Sequence, residues 1–397
     1  MRVLQLCHKP PFPAIDGGCL AMHNITSGLL AAGYDVKVLT AFTHKHDLQL
    51  DAMSEDYKQR TDIEGVFIDT QVNIVDAFSS LVTQDSYNIS RFFSTDLDIK
   101  LARLLKRQKF DVVHVESLFM TPYLATIRRF SRAPIVLRSH NLEYVIWERM
   151  AEGASNPAKR TYLRYLSKKL KEYELSVLSR VDAIAAISNR DRKHYEALGC
   201  NKPLISLPFG IDAANYPPAE YSGSTPRFFH IGAMDWQPNL EAIDWLENAI
   251  LPLAQRSQPA LKVHLAGKGL SPSAYANSDR FVVHGEVASA TRFMSEHDVM
   301  VVPLRSAGGI RVKIIEAMAC GKAVISTATG AEGIDGEHRK HFIIANTAEE
   351  FAAAMNELAE NPARVEEIGR AARELALSHF DNVSIVRRLN ELYQTLR

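Results

Sequence analysis

Short apolar runs alternate with glycine-bearing loops and helical periods along most of this chain. Val3-Leu4-Gln5-Leu6-Cys7 is the first such run, and a proline-rich loop ending in Asp16-Gly17-Gly18 follows it. A helical period then extends from about Cys19 to Ala32, stops at Gly33, and leads into a second apolar run at 35–40. Strand, loop, helix and strand in that order make the βαβ unit of a parallel sheet. Further strands are expected at 111–115, 135–138 and 183–187, with a long basic amphipathic helix at 157–181. Residues 46–100 give no clear reading.

The composition changes at 208–224, where Pro208-Phe209-Gly210-Ile211-Asp212, Pro217-Pro218 and Ser222-Gly223-Ser224 read as an interdomain linker. A second βα series follows, with strands expected at 228–231, 262–265, 281–284, 299–303 and 323–326. A last helix is expected at 383–396. Two successive series of this kind predict an α/β protein of two parallel-sheet domains with a ligand cleft between them.

Composition narrows the function classes. A chain of 397 residues with 46% apolar and 23% charged residues is globular and long enough for two cores. The formal net charge of zero gives no bulk attraction for nucleic acid. Charge is uneven, however: residues 51–100 hold 10 acidic and 4 basic side chains, whereas 101–200 hold 19 basic and 10 acidic. Cys7, Cys19, Cys200 and Cys320 are scattered without zinc-ligand spacing, which fits a reduced, cytoplasmic protein. No secretory leader and no apolar stretch of membrane-spanning length is read.

Two stretches carry candidate chemistry. Gly17 and Gly18 precede the first helix, where backbone N–H groups attract anions. They lack the Gly-x-Gly-x-x-Gly spacing of a dinucleotide fingerprint, which argues against a nicotinamide or flavin enzyme. The second stretch runs from Pro303 to Gly321. There a strand ends in Gly308-Gly309, and a helix is expected from near Ile310 to its stop at Gly321. Arg311, Lys313 and the helix amides can cradle a diphosphate, and Glu316 can accept both hydroxyls of a ribose. The same residues also read as a solvated helix face with a Lys313–Glu316 pair.

The run Ile315-Glu316-Ala317-Met318-Ala319-Cys320-Gly321-Lys322-Ala323-Val324-Ile325-Ser326 resembles the donor-binding signature of glycosyltransferase family 4. The resemblance extends over nearly the whole chain, through Gly17-Gly18, Ile231-Gly232, Leu265-Ala266-Gly267-Lys268-Gly269 and Val283-His284-Gly285-Glu286-Val287. It implies a retaining enzyme of the GT-B fold: two Rossmann-like domains face across a cleft, and the C-terminal helix crosses back to the first. The expected domains are 1–210 with 383–397 on the acceptor side, and 220–380 on the donor side.

The resemblance implies a role for each matching residue. Glu316 matches the ribose-holding second Glu of the Glu-x7-Glu motif. Gly17, Gly18 and Gly232 match backbone that meets the donor, and Gly308, Gly309 and Ile310 open the diphosphate-side helix. Gly285 and Val287 lie where backbone meets the base. His140, after a strand in Leu137-Arg138-Ser139-His140-Asn141, matches the active-site histidine near the transferred sugar. His114, Glu116, Asn141 and Glu143 are acceptor-side candidates or supports for His140, and His8 is a weaker one.

Two departures stand out. Gly308 occupies the place of the motif's first Glu, so the resemblance does not imply which sugar is carried. No cation follows Gly232 in Ala233-Met234-Asp235-Trp236-Gln237, so Arg311 and Lys313 are expected to neutralise the diphosphate instead. The implied reaction moves a sugar from a UDP- or GDP-linked donor to a glycan or lipid-linked acceptor. It proceeds by front-face attack, without metal or cofactor. The basic 101–200 segment would contact anionic lipid at the inner face of the membrane. The rival reading is a catalytically degenerate nucleotide-sugar-binding protein.

Overall fold

A computed structural model of the chain describes residues 1–70, 87–218, 225–275, 277–306 and 310–397. They form two compact units, Met1–Gly210 with Ile385–Arg397, and Ile211–Ser384.

The first unit is built on seven parallel strands: β1 (Arg2–Cys7), β2 (Asp35–Phe42), β3 (Glu64–Phe67), β4 (Val112–Glu116), β5 (Ile135–Ser139), β6 (Ala183–Ala186) and β7 (Leu204–Ser206). Their order is β3-β2-β1-β4-β5-β6-β7. A parallel sheet covered on both faces has no solvent side, so its strands read as unbroken apolar runs. Every position of β4, β5 and β6 is accordingly buried. The helix Gly17–Ala31 begins two residues earlier than expected, because the Asp16 carboxylate caps it by accepting from the Cys19 N–H. The helix Pro157–Leu178 runs close to its expected bounds.

The last helix, Asn382–Thr395, places Ile385, Val386, Leu389, Leu392 and Tyr393 in one stripe. That stripe joins Val3, Met22, Val36 and Val112 in the core of the first unit.

The second unit carries six parallel strands: β8 (Phe228–Ile231), β9 (Val263–Ala266), β10 (Phe281–Gly285), β11 (Val299–Val302), β12 (Ala323–Ser326) and β13 (Ile343–Ile344). Their order is β10-β9-β8-β11-β12-β13. The helix expected from Ile310 spans Val312–Ala319 instead, because Arg311 remains extended as its N-cap. β3, β7 and β13 were not anticipated; they are short, and periodicity over two to four residues carries little signal.

Both sheets reverse their winding beside their first strand, between β1 and β4 and between β8 and β11. Open α/β sheets bind ligands outside the carboxyl ends of the strands at such a reversal. No helix among the described residues is long and apolar enough to cross a membrane.

Candidate active site

In the first unit a polar stripe runs through an otherwise apolar sheet. Gln5 on β1 pairs in register with His114 on β4, and Glu116 on β4 pairs with Arg138 on β5. All four are sealed from solvent. The Gln5 amide donates to Glu116 Oε1 at 2.9 Å, and His114 Nε2 lies 3.3 Å from the same oxygen. Arg138 Nη1 lies 3.5 Å from Oε2 and donates to the Ala21 carbonyl of the first helix. Burial works against the Glu116 charge, but Arg138 and His114 overcome it and hold the carboxyl well below its ordinary range.

His140 follows β5 and donates from Nε2 to Glu116 Oε2 at 2.7 Å. Its side chain retains 11% exposure, so it is the group through which the Glu116 cluster reaches solvent. Burial lowers its pKa, opposed by Glu116, and a neutral ring that donates from Nε2 carries its acceptor lone pair on Nδ1. The His8 ring packs edge-on to it at 5.5 Å. His114 and Glu116, expected to touch the acceptor or to support His140, are fully buried, and Glu116 lies against His140 from within the sheet. His114 also meets the Tyr393 hydroxyl at 2.7 Å, which ties the last helix to the cluster.

Asn141 and Glu143 follow directly. Asn141 donates to Glu143 at 3.3 Å, and burial pushes the Glu143 carboxyl up to about 7. Behind them lies an unanticipated chain: Ser139 Oγ meets the Tyr195 hydroxyl at 2.8 Å, and Tyr195 donates to Glu174 at 2.7 Å. Glu174 is pushed up to about 8 by burial. On a lysine-rich helix it reads as one more surface charge, and nothing in the linear pattern marks it as internal.

At the Gly17-Gly18 loop the helix N-terminus already holds a carboxylate. Asp16 caps it and is itself bound by Lys9, at 2.8 Å to each oxygen, and by His46 at 2.9 Å. Lys9 is a further cation at this loop that the sequence did not single out. A Cβ at Gly18 would meet its Nζ at 2.7 Å.

In the second unit the reversal between β8 and β11 gathers the remaining candidates. Gly232 directly follows β8, and Gly267 packs backbone to backbone on it. At φ +151° a Gly267 Cβ would lie 1.7 Å from the Gly232 carbonyl oxygen, so no side chain fits there. The Lys313 ammonium donates to the Ile231 carbonyl at 3.0 Å and to Asn239 Oδ1 at 2.9 Å. Asn239 in turn donates to the Ala233 carbonyl at 2.8 Å. The Arg311 guanidinium lies 5.7 Å from the Trp236 ring centre. The cations missing after Gly232 in the sequence are thus returned to that loop by the helix Val312–Ala319 and its N-cap. Burial, then Arg311, lowers the Lys313 ammonium to about 7.

One turn along that helix, Glu316 accepts from the Tyr216 hydroxyl at 2.8 Å, and burial raises its carboxyl. Arg373 fixes this arrangement by donating to the Tyr216 and Ala319 carbonyls. Gly285 ends β10 at φ +71°, with Val287 half-buried beyond it. Ile310 is half-buried before the helix, whereas Gly308 and Gly309 lie outside the described residues. Asn239 and Tyr216 were missed because each gains its role only through a contact distant in sequence.

The Glu116 cluster generates a stability prediction. A depressed carboxyl pKa contributes stability above the unfolded value of about 4.3, and that contribution is lost as pH falls through the lower folded value. Glu116→Gln leaves Arg138 without its counter-charge and should destabilise the protein by about 3–5 kcal/mol at neutral pH in urea unfolding. Arg138→Met in the same chain should recover part of that loss. A change within about 0.5 kcal/mol for the single variant would overturn the assignment.

The family model described as Glycosyltransferase Family 4 matches residues 16–215, and the one described as Glycosyl transferases group 1 matches 225–361. An uncharacterized 44.6 kDa protein in the cps region of Klebsiella pneumoniae is 21% identical, over 97% of each chain. Glycogen synthase of Mycobacterium tuberculosis is 22% identical, over 99% of this chain and 94% of its own. Among solved structures, sucrose-phosphate synthase of Thermosynechococcus elongatus is similar at a TM-score of 0.71 and 17% identity, covering 100% of this chain and 99% of its own. Anabaena HepE in complex with UDP is similar at 0.66 and 16%, covering 100% of both chains. Two Rossmann-like units, a buried Glu116–His140 pair and the Glu316 helix therefore accompany matches over both halves, and the chain belongs to glycosyltransferase family 4, as an enzyme of the GT-B fold.

Proposed function

We propose that the protein is a retaining glycosyltransferase that takes a sugar from a nucleoside-diphosphate donor and passes it to a glycan or lipid-linked acceptor. The observation that carries this reading is the Lys313 ammonium at the carboxyl end of β8, beside Arg311 and one turn before Glu316. Cations at the diphosphate stabilise the charge that develops as the donor's C1–O bond breaks, which is the work a divalent metal does elsewhere. Glu316 takes the ribose, with Tyr216 holding its orientation. Gly232, Gly285 and Val287 leave backbone open to the nucleotide. UDP in the HepE structure is consistent with a nucleotide-linked donor.

In this reading His140 accepts a hydrogen bond from a hydroxyl of the transferred sugar. Glu116 keeps the imidazole in the required tautomer. Glu116 is fully buried and engaged on both oxygens, so it is poorly suited to be a covalent nucleophile. Front-face transfer fits better. The acceptor oxygen bonds to C1 on the side the diphosphate leaves, and the acceptor proton passes to the departing phosphate. Lys159, Arg164 and Lys168 are exposed on the helix Pro157–Leu178 and would meet anionic lipid if the acceptor is lipid-linked. Sedimentation with anionic vesicles at low salt should then pellet the protein, and neutral vesicles should not. Equal behaviour with both would remove the membrane contact.

A thermal-shift titration with UDP, GDP and ADP should raise the melting temperature with one of them. Lys313→Met should weaken that nucleotide by at least about tenfold, ~1.4 kcal/mol, while raising the ligand-free melting temperature by removing a buried ammonium. A bound diphosphate favours charged Lys313. Wild-type affinity should therefore fall from about pH 7 to about pH 9, beyond the second phosphate ionisation near 6, and the variant should lose this slope. Unchanged affinity in Lys313→Met would contradict the cation's role. No shift with any diphosphate would favour the degenerate reading that Gly308 leaves open.

A further inference from the structure

Three histidines meet in the second unit, on the sheet face covered by the segment after β10. Phe229 on β8 and His264 on β9 are register partners, and His264 pairs in turn with Val282 on β10. The register of β10 against β9 slips between Val283 and Gly285, and His284 at that slip stacks its ring on His264, with centroids 5.2 Å apart. The helix Ala290–Ser295 crosses there, and His297, two residues beyond it, completes the group. One ring nitrogen from each of His264, His284 and His297 lies within 4.8 Å of the others. His264 Nδ1 and His284 Nε2 approach to 2.9 Å.

We propose that His264, His284 and His297 form a binding site for a divalent transition metal of the zinc class, independent of the glycosyl-transfer residues. Three neutral imidazoles with a fourth position open to water are a recurrent zinc ligand set, and imidazole also suits copper, nickel and cobalt. His297 is already oriented for it. Its Nδ1 donates to the Phe293 carbonyl at 2.7 Å, which leaves the Nε2 lone pair as the one it can offer. Burial of His297 against Phe229 and Phe293 fixes the ring, whereas exposed His284 gives an ion its route in. Tetrahedral ligands at about 2.0–2.1 Å from zinc stand roughly 3.3 Å apart, so the 2.9 Å pair opens by a few tenths of an ångström, while separations of up to 4.8 Å close by as much as about 1.5 Å. Arg227 is the nearby cation that opposes binding; Asp298 offsets it, with a carboxylate oxygen 3.7 Å from its Nε and 2.8 Å from its backbone N. A bound ion would tie edge strand β10, immediately before Gly285, to β9 and to the segment after the helix.

The test uses tag-free full-length protein stripped with chelator and titrated with Zn²⁺ against a chromogenic chelator. One equivalent should bind, and His284→Asn should weaken it by at least about 100-fold, since one ligand of three is lost. His46→Asn should retain it, although His46 stands with Asp16 and Cys19 in the other metal-like cluster. Wild-type protein titrated with Co²⁺ gives a readout that needs no variant to fold: visible ligand-field bands without thiolate charge transfer are expected. No stoichiometric binding, equal affinity in His284→Asn, or a thiolate band from Cys19 would overturn the proposal.

Discussion

Glu116 is an ionised carboxylate without water, and such a group persists in a core only if protein donors replace its hydration. Gln5, Arg138 and His140 donate to it, and His114 stands 3.3 Å away, from three strands and the residue after one of them. Their own second contacts spread the arrangement outward. Arg138 reaches the first helix through the Ala21 carbonyl, and Thr26 fixes the Gln5 amide at 2.6 Å. His114 reaches Tyr393 on the last helix. The interaction that orients the candidate catalytic histidine therefore also sets how β1, β4, β5 and both flanking helices pack.

The second unit shows the opposite economy of charge. Lys313 is buried against a carbonyl and an amide oxygen, with another cation as its neighbour, and its pKa falls accordingly. An anion arriving there would supply what the protein withholds. Stability given up at a site and recovered on binding is a common feature of functional clusters. The same strain reaches His230, whose ring is held down to about 3 by burial and by Lys313.

Much of this was legible in the chain because parallel sheets bury both faces, and their strands announce themselves as apolar runs such as Ala183–Ala186 and Val299–Val302. Lys313 and Glu316 stand out from their places at a helix start, and His140 through motif resemblance. What escaped has a common cause. Asn239 matters because Lys313, 74 residues away, bonds to it, and Tyr216 because Glu316, 100 residues away, accepts from it. Glu174 lies on a basic helix and turns inward only because Tyr195 and Ser139 are there to receive it. His114 and Glu116 stand out as polar residues in an apolar strand, but a sheet covered on both faces buries every position of β4, whichever way the pleat turns a side chain.

The most direct test of the account separates His140 from the nucleotide-binding residues. Release of nucleoside diphosphate from the preferred nucleotide sugar, to acceptor or to water, would be measured for wild type and His140→Ala across donor concentrations. If His140 contacts only the transferred sugar, kcat should fall by about 100-fold or more while the donor KM stays within a few-fold, because lost transition-state contacts lower kcat rather than weaken uniform binding. An unchanged kcat with a raised KM, or full activity without the imidazole, would contradict the role assigned to the Glu116–His140 pair.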